Sequence, residues 1–222
     1  MNVTVYGDSI LKGVIFENGR YVVERAWQNR LAERFGLTIR NRSRFGCTIG
    51  RAIASIRRDS ESLSENGYAL LEFGGNDCDY DWAAIAADPA GNYEPNTPPK
   101  RFMDTYREAI GLIRKGGRIP VALTLPPIHS ELYFNFICRG GLSGDRILRW
   151  MGTADRIADW QRKYSAMAEQ VAREQGVLLI DLRRAFPADA DALREYLCID
   201  GIHPSRRGQA LLEDTFSACF AR

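Results

Sequence analysis

The stretch Val3-Thr4-Val5-Tyr6-Gly7-Asp8-Ser9 decides how the chain is read. Its first four residues are β-branched or aromatic, the composition of a short buried strand. Gly7 breaks that run, and Asp8 and Ser9 follow on the turn. In an open α/β sheet, the turns beyond the carboxyl ends of the strands are where reacting groups gather. A serine there is a candidate nucleophile, although in isolation the simpler reading is a turn serine or a helix cap.

Outward from this stretch, strand and helix patterns alternate. A polar, glycine-bearing connection leads to a helix with Trp27, Leu31 and Phe35 on one face, stopped by Gly36. A second strand, Leu37 to Arg40, runs through Asn41-Arg42-Ser43-Arg44-Phe45-Gly46-Cys47 into a helix from Thr48 to Arg58 that carries Ile49, Ile53 and Ile56. The third strand, Tyr68 to Phe73, is mostly apolar, as a strand covered on both faces should be, and ends in Gly74-Gly75-Asn76-Asp77. Phe102, Tyr106, Ile110 and Ile113 mark the next helix, and Ile119 to Leu125 the fourth strand. Thr153 is the expected N-cap of a long helix that buries Ile157, Trp160, Tyr164, Met167 and Val171, and Val177 to Asp181 is the fifth strand. Asp200-Gly201-Ile202-His203-Pro204-Ser205 precedes a closing helix from Arg206 to Phe220. Five strands separated by helices predict one α/β domain over residues 1–222, with a parallel sheet and right-handed crossovers. Two connections are long for a compact fold, Cys78 to Pro99 and His129 to Gly152, the second with room for a short helix. Both mix aromatic and polar residues and read as walls of a site.

Composition narrows the function. The 222 residues are 45% hydrophobic, ample for one core. Thirty basic residues against 28 acidic ones leave a net charge of +2, which gives no electrostatic case for nucleic acid or an anionic membrane as partner. Cys47, Cys78, Cys138, Cys198 and Cys219 are odd in number and contain no Cys-x-x-Cys pair, so reduced thiols are expected and neither a disulfide framework nor a zinc site is indicated. No stretch approaches the ~20 apolar residues of a membrane span. The first strand starts within three residues of the N-terminus without a signal-like segment, so a cytoplasmic protein is expected. Neither Gly-x-Gly-x-x-Gly nor a P-loop lysine motif occurs, which disfavours a nucleotide binder, and no cofactor or metal is called for.

Acyl transfer by serine needs a hydroxyl, a base, a group that orients the base, and N–H donors aimed at the developing oxyanion. Ser9 would supply the hydroxyl. The base must be one of two histidines, and His203 has Asp200 three residues before it, whereas His129 follows Pro126-Pro127 at the mouth of the fourth strand and reads as a surface or wall residue. The main-chain N–H groups of Ser9 and Gly46 and the Asn76 side-chain amide would form the oxyanion hole. Each lies at a strand end or in the loop before the last helix, so the topology brings them to one edge.

Four separated blocks resemble the SGNH (GDSL-like) hydrolase family of esterases and lipases. Gly7-Asp8-Ser9-Ile10 looks like its first block with the nucleophile, and Asn41 through Gly46-Cys47-Thr48 is similar to the second with its oxyanion glycine, although Cys47 stands where aspartate is frequent. Gly74-Gly75-Asn76-Asp77 matches the third block, and Asp200-Gly201-Ile202-His203-Pro204 the last. The resemblance implies a flavodoxin-like three-layer α/β/α fold, no metal, and ester hydrolysis through an acyl-enzyme. Asp77 is expected to be structural and Asp8 to serve loop hydrogen bonding. An acyltransferase, a lipase, lysophospholipase or thioesterase would share the same triad, while a catalytically idle binding module would have no need of the intact set. For the substrate, Tyr80 and Trp82 in the first long connection, like Tyr93, Tyr133, Phe134 and Trp150, mix ring faces with Asp79, Asp81, Arg139 and Arg146. That pattern points to a small ester, a short acyl group such as acetyl on a carbohydrate or similar polar alcohol, unless the rings simply pack as satellite core.

Overall fold

The computed structural model describes residues 1–62 and 66–221. In chain order its strands and helices are β1 Asn2–Gly7, α1 Ser9–Lys12, β2 Val14–Glu17, β3 Arg20–Val23, α2 Ala26–Phe35, β4 Thr38–Asn41, α3 Ile49–Ser62, β5 Tyr68–Glu72, α4 Trp82–Ala87, α5 Pro99–Lys115, β6 Ile119–Leu123, α6 Ser130–Cys138, α7 Gly144–Met151, α8 Arg156–Glu174, β7 Leu178–Ile180, α9 Ala190–Leu193 and α10 Arg206–Phe220. The main sheet is five-stranded and parallel, in the order β4-β1-β5-β6-β7. Counting only these strands, that order is 2-1-3-4-5, the doubly wound flavodoxin-like arrangement.

Alternation along the strands builds both faces of the sheet. Val3 and Val5 pack with Trp27, Leu31, Leu212 and Phe216 beneath α2 and α10. Tyr6, one residue beyond Val5, points the other way and joins Ile49, Ile56, Phe102, Tyr106 and Val171 beneath α3, α5 and α8. In β5, Leu70 belongs to the first cluster and Ala69 and Leu71 to the second. Burial on both faces explains why these strands read as nearly continuous apolar runs. The register pairs Gly7 with Glu72, Val5 with Asn41, and Leu123 with Ile180, so the carboxyl ends of the strands finish at one edge.

The structure departs from the sequence reading in four places. The segment after Ser9 holds an antiparallel hairpin, β2 with β3, whose two-residue turn is Asn18-Gly19 with φ of 52° and 76°. Positive φ at both turn residues matches the twist of the flanking strands, and Asn-Gly is the pair that tolerates it. The first long connection contains α4, capped by Asp81, which accepts the Ala84 N–H at 2.9 Å. The second contains two helices, α6 and α7, where one short helix was expected. The long helix α8 starts at Arg156 with Asp155 at its N-cap, and Thr153 contributes only a carbonyl to the preceding turn. Residues of α4, α7 and α8 bury a third cluster of Trp82, Ile85, Ile147, Met151 and Ile157. It sits on the two long connections, so these are packed walls.

Candidate active site

Ser9 is the first residue of α1, and Asp8 is its N-cap, accepting the Ile10 N–H through Oδ1 at 2.8 Å. The strand-to-helix turn is tight at Gly7, where a Cβ would meet Glu72 Oε2 at 3.2 Å and Leu11 Cβ at 3.3 Å. The turn presents the hydroxyl and N–H of Ser9 together at a helix start, where main-chain donors have no partner within the helix.

The Asp200–His203 loop is fixed from within. Asp200 Oδ1 accepts the main-chain N–H groups of Ile202 and His203, both at 3.1 Å, and Oδ2 lies 2.6 Å from His203 Nδ1. Gly201 has φ +73°, and a Cβ there would fall 2.6 Å from the Tyr133 nitrogen and 2.8 Å from the His129 carbonyl oxygen, so only glycine lets this loop dock on α6. His203 Nε2 is 2.8 Å from Ser9 Oγ. The carboxylate assigns the proton to Nδ1 and leaves Nε2 to accept from the serine. Ser9, Asp200 and His203 are 6%, 0% and 3% exposed. Three residues separated by up to 194 positions thus form one hydrogen-bonded chain.

Gly46 has φ +64° with open space where a Cβ would lie, so its glycine is needed for backbone conformation. Asn76 is half-buried, and its Nδ2 donates to Asp8 Oδ2 at 2.8 Å. One amide hydrogen is therefore held, which leaves the other to point into the site. Asp8 does more than organise a loop: one oxygen caps α1 and the other anchors Asn76. Asp77 accepts the Ile49 N–H at 3.1 Å and caps α3 from outside the helix. Asn41 ties the turn after β4 to α1, donating to the Leu11 carbonyl at 2.7 Å. His129, read as a surface or wall residue, is buried, and its Nδ1 caps α6 by accepting the Leu132 N–H at 3.3 Å.

The sequence reading did not single out Glu72. It is fully buried at the end of β5 beside Asp8, whose N–H lies 3.5 Å from Glu72 Oε2. Burial first, then the neighbouring Asp8, pushes the Glu72 carboxyl well above its ordinary range, and burial raises Asp8 as well. Two adjacent carboxyls out of water disfavour ionising together. The available signal was a lone acid in an otherwise apolar strand. Burial also pushes Asp77 up to about 7.

A cavity of about 650 Å³ opens at Ser9, Gly46, Asn76 and His203. Its far wall includes Trp82, Leu125, Ile128, Ile137, Leu142 and Trp160. Trp82 donates Nε1–H to Asp79 Oδ1 at 2.8 Å, and Tyr133 donates its hydroxyl to Oδ2 at 2.7 Å. Both polar ends are thereby engaged, so these two residues offer the cavity mainly carbon. Tyr80 is not in the wall; its ring packs against Trp150 and Trp160 at 5.1 and 4.7 Å. Among the described residues, no helix is long and apolar enough to cross a membrane. No group of three or more His, Cys, Asp or Glu among them is arranged to hold a metal ion.

The doubly wound sheet thus presents Ser9 at the carboxyl end of β1, and the loop before α10 brings Asp200 and His203 to it. The sequence matches the GDSL-like Lipase/Acylhydrolase family over residues 5–211, and the chain belongs to that family of carboxylic ester hydrolases. Solved structures with the same fold include the lipase/acylhydrolase from Enterococcus faecalis (19% identity, 98% of this chain and 93% of that one, TM-score 0.62). LAE5, an alpha/beta hydrolase enzyme from the metagenome of Lake Arreo, Spain, is another (20%, 99% and 94%, 0.66). A third is a mutant of Axe2, an acetyl-xylooligosaccharide esterase from Geobacillus stearothermophilus (15%, 100% and 94%, 0.68). A search of curated proteins gave no match.

Proposed function

We propose that the protein hydrolyses carboxylic esters through an acyl-enzyme on Ser9. The observation that carries this is the unbroken chain from Ser9 Oγ through His203 to Asp200, with spacings of 2.8 and 2.6 Å. His203 Nε2 takes the Ser9 proton as Oγ bonds to the acyl carbon, and returns it to the alcohol oxygen as the ester C–O bond breaks. Water then repeats the sequence on the acyl-enzyme and releases the acid. Asp200 orients the imidazole and offsets its transient charge. The N–H groups of Ser9 and Gly46 and the Asn76 amide bind the oxyanion.

For the acyl group, the carbon-rich far wall favours an apolar chain longer than acetyl. A second reading, an acetyl group on a carbohydrate or similar polar alcohol, draws on Trp82 in the wall and on the acetyl-xylooligosaccharide esterase that shares the fold. Under it, the ring of the sugar would lie against Trp82. Fluorophosphonate labelling followed by mass spectrometry tests the nucleophile, with the label expected on Ser9. Turnover of p-nitrophenyl acetate, butyrate, octanoate and decanoate, beside an acetylated sugar, separates the two acyl readings. A rate that rises with chain length supports the first, and an acetylated sugar preferred over every aryl ester supports the second.

A further inference from the structure

During acylation the alcohol oxygen must come within hydrogen-bond reach of His203 Nε2, because the proton is returned there. Whatever the alcohol carries is then laid against the residues that flank the imidazole. These are two aromatic rings. Tyr21, on the hairpin strand β3, meets the imidazole edge-on at 5.3 Å and 63°, and Phe45, just before the oxyanion glycine, lies parallel to it at 6.0 Å and 14°. The two rings meet each other at 4.9 Å. Phe16 extends the ledge, 4.8 Å from Tyr21 and 5.2 Å from Phe136.

Tyr21 and Phe45 both line the mouth of the cavity, yet they are 42% and 52% exposed. Core packing gives no reason for so much ring surface to face water beside a reacting group. We propose that Tyr21 and Phe45 form the alcohol subsite and select esters whose alcohol carries a ring with an apolar face, aryl or sugar. The inference rests on the acyl-enzyme reading above. It assigns the ring, a sugar ring included, to the hairpin side of Ser9 in place of Trp82, and the acyl group to the far wall. In the acylation step the Ser9 Oγ–acyl bond forms and the acyl–alcohol bond breaks. The Oγ proton passes through Nε2 to the alcohol oxygen, and the ring departs along the ledge. Deacylation involves water and no ring, so the two steps should respond differently when the ledge is removed.

The experiment compares Tyr21→Ala, Phe45→Ala and the milder Tyr21→Leu with wild type on acetates of ethanol, phenol and the 6-hydroxyl of methyl glucoside. Every substrate passes through the same acetyl-enzyme. We expect kcat/KM for the phenyl or sugar acetate to fall about tenfold more than for ethyl acetate, with a smaller fall in the common deacylation rate measured after the burst. A preference lost only for phenyl, or only for sugar, identifies which ring the ledge takes. Equal losses on all three acetates, or deacylation slowed as much as acylation, would overturn the inference and make the rings supports for His203. If the wild type neither labels at Ser9 nor turns over any ester, the acyl-enzyme reading falls and this inference with it. Uniform loss in a protein that labels at Ser9 defeats the inference alone.

Discussion

Replacing Asp8 by asparagine should lower the turnover number while leaving the fold as stable or more so. Asp8 Oδ1 accepts the Ile10 N–H and Oδ2 accepts Asn76 Nδ2–H, both at 2.8 Å. An asparagine has a single oxygen, so one of the two bonds goes. If the cap on α1 is kept, the Asn76 amide faces an NH2 group and turns away. A hydrogen bond to a charged acceptor is worth about 1.5–3 kcal/mol, and that is what holds the amide in place. At about 1.4 kcal/mol per factor of ten, kcat should drop by roughly 10- to 100-fold. Outright loss of an oxyanion donor, as in Asn76→Ala, would cost about 10²–10³-fold. KM should change little, because the amide acts on charge that appears only in the transition state. Stability should move the other way. Burial raises the pKa of Asp8, so its ionised form opposes folding, and the neutral amide removes that cost. Steady-state kinetics on p-nitrophenyl acetate and urea unfolding at pH 8 give the two numbers. A folded Asp8→Asn variant with kcat within twofold of wild type would refute the anchoring role. A kcat loss accompanied by a lower urea midpoint would mean that the turn itself had collapsed.

Three further outcomes can be measured. Ser9→Ala and His203→Ala should each abolish nearly all turnover, and the double variant should lose little more than either single, since the pair acts as a unit; multiplicative losses in initial rates would contradict this. Asp77 is held neutral by the fold up to about pH 7, whereas unfolded it ionises near the ordinary aspartate value. Its contribution is therefore complete below about pH 4 and lost as pH rises towards 7. Urea midpoints should fall over that interval, and the fall should be smaller in Asp77→Asn; an unchanged slope would remove Asp77 as its source. Asp59 is buried, accepts the Tyr6 hydroxyl at 3.0 Å, and takes Arg42 Nε and Nη2 at 3.0 and 3.1 Å, so Asp59→Ala should cost about 3 kcal/mol in urea unfolding. A cost below 1 kcal/mol would show that water replaces the carboxylate.

How far the sequence could be read depended on how local each signal was. The alternation of buried strands and amphipathic helices is written in short windows, and the sheet followed from it. Ser9, Asp200 and His203, which the structure brings within hydrogen-bond reach of one another, could be singled out because each sits at a strand end or in a loop before a helix, where short polar runs interrupt apolar ones. The hairpin is equally local, with Asn18-Gly19 between Val14-Ile15-Phe16-Glu17 and Arg20-Tyr21-Val22-Val23, but its strands are only four residues long and carry charges beside the turn, so their alternation is faint. The two long connections misled for a different reason. Helices α4, α6 and α7 are of 6, 9 and 8 residues, too short for periodicity to stand out, and they fold because Trp82, Ile147 and Ile157 meet across sequence distances that no window spans. Tyr80 and Trp82 share the reading and stay together, their rings 5.9 Å apart in one aromatic cluster, but only Trp82 lines the cavity.

The least legible part is also the part that constrains the chemistry most. Glu72, Asp8 and Asp77 are buried carboxyls beneath the Asn76 loop, and each is raised chiefly by its own burial. A fold selected for stability alone would favour apolar side chains of similar size at such positions. The structure gives two of them defined work: Asp8 fixes the Asn76 amide and Asp77 fixes the start of α3, which follows the Gly46 turn. Asn76 and the turn that carries Gly46 are therefore held by acids that the fold keeps out of water. Glu72 lies 3.5 Å from the main-chain nitrogen of Asp8, and its burial and the neighbouring Asp8 push its carboxyl well above the ordinary range. Under the proposed mechanism, these three buried acids hold the Asn76 and Gly46 donors in place before any substrate arrives, at a cost in stability.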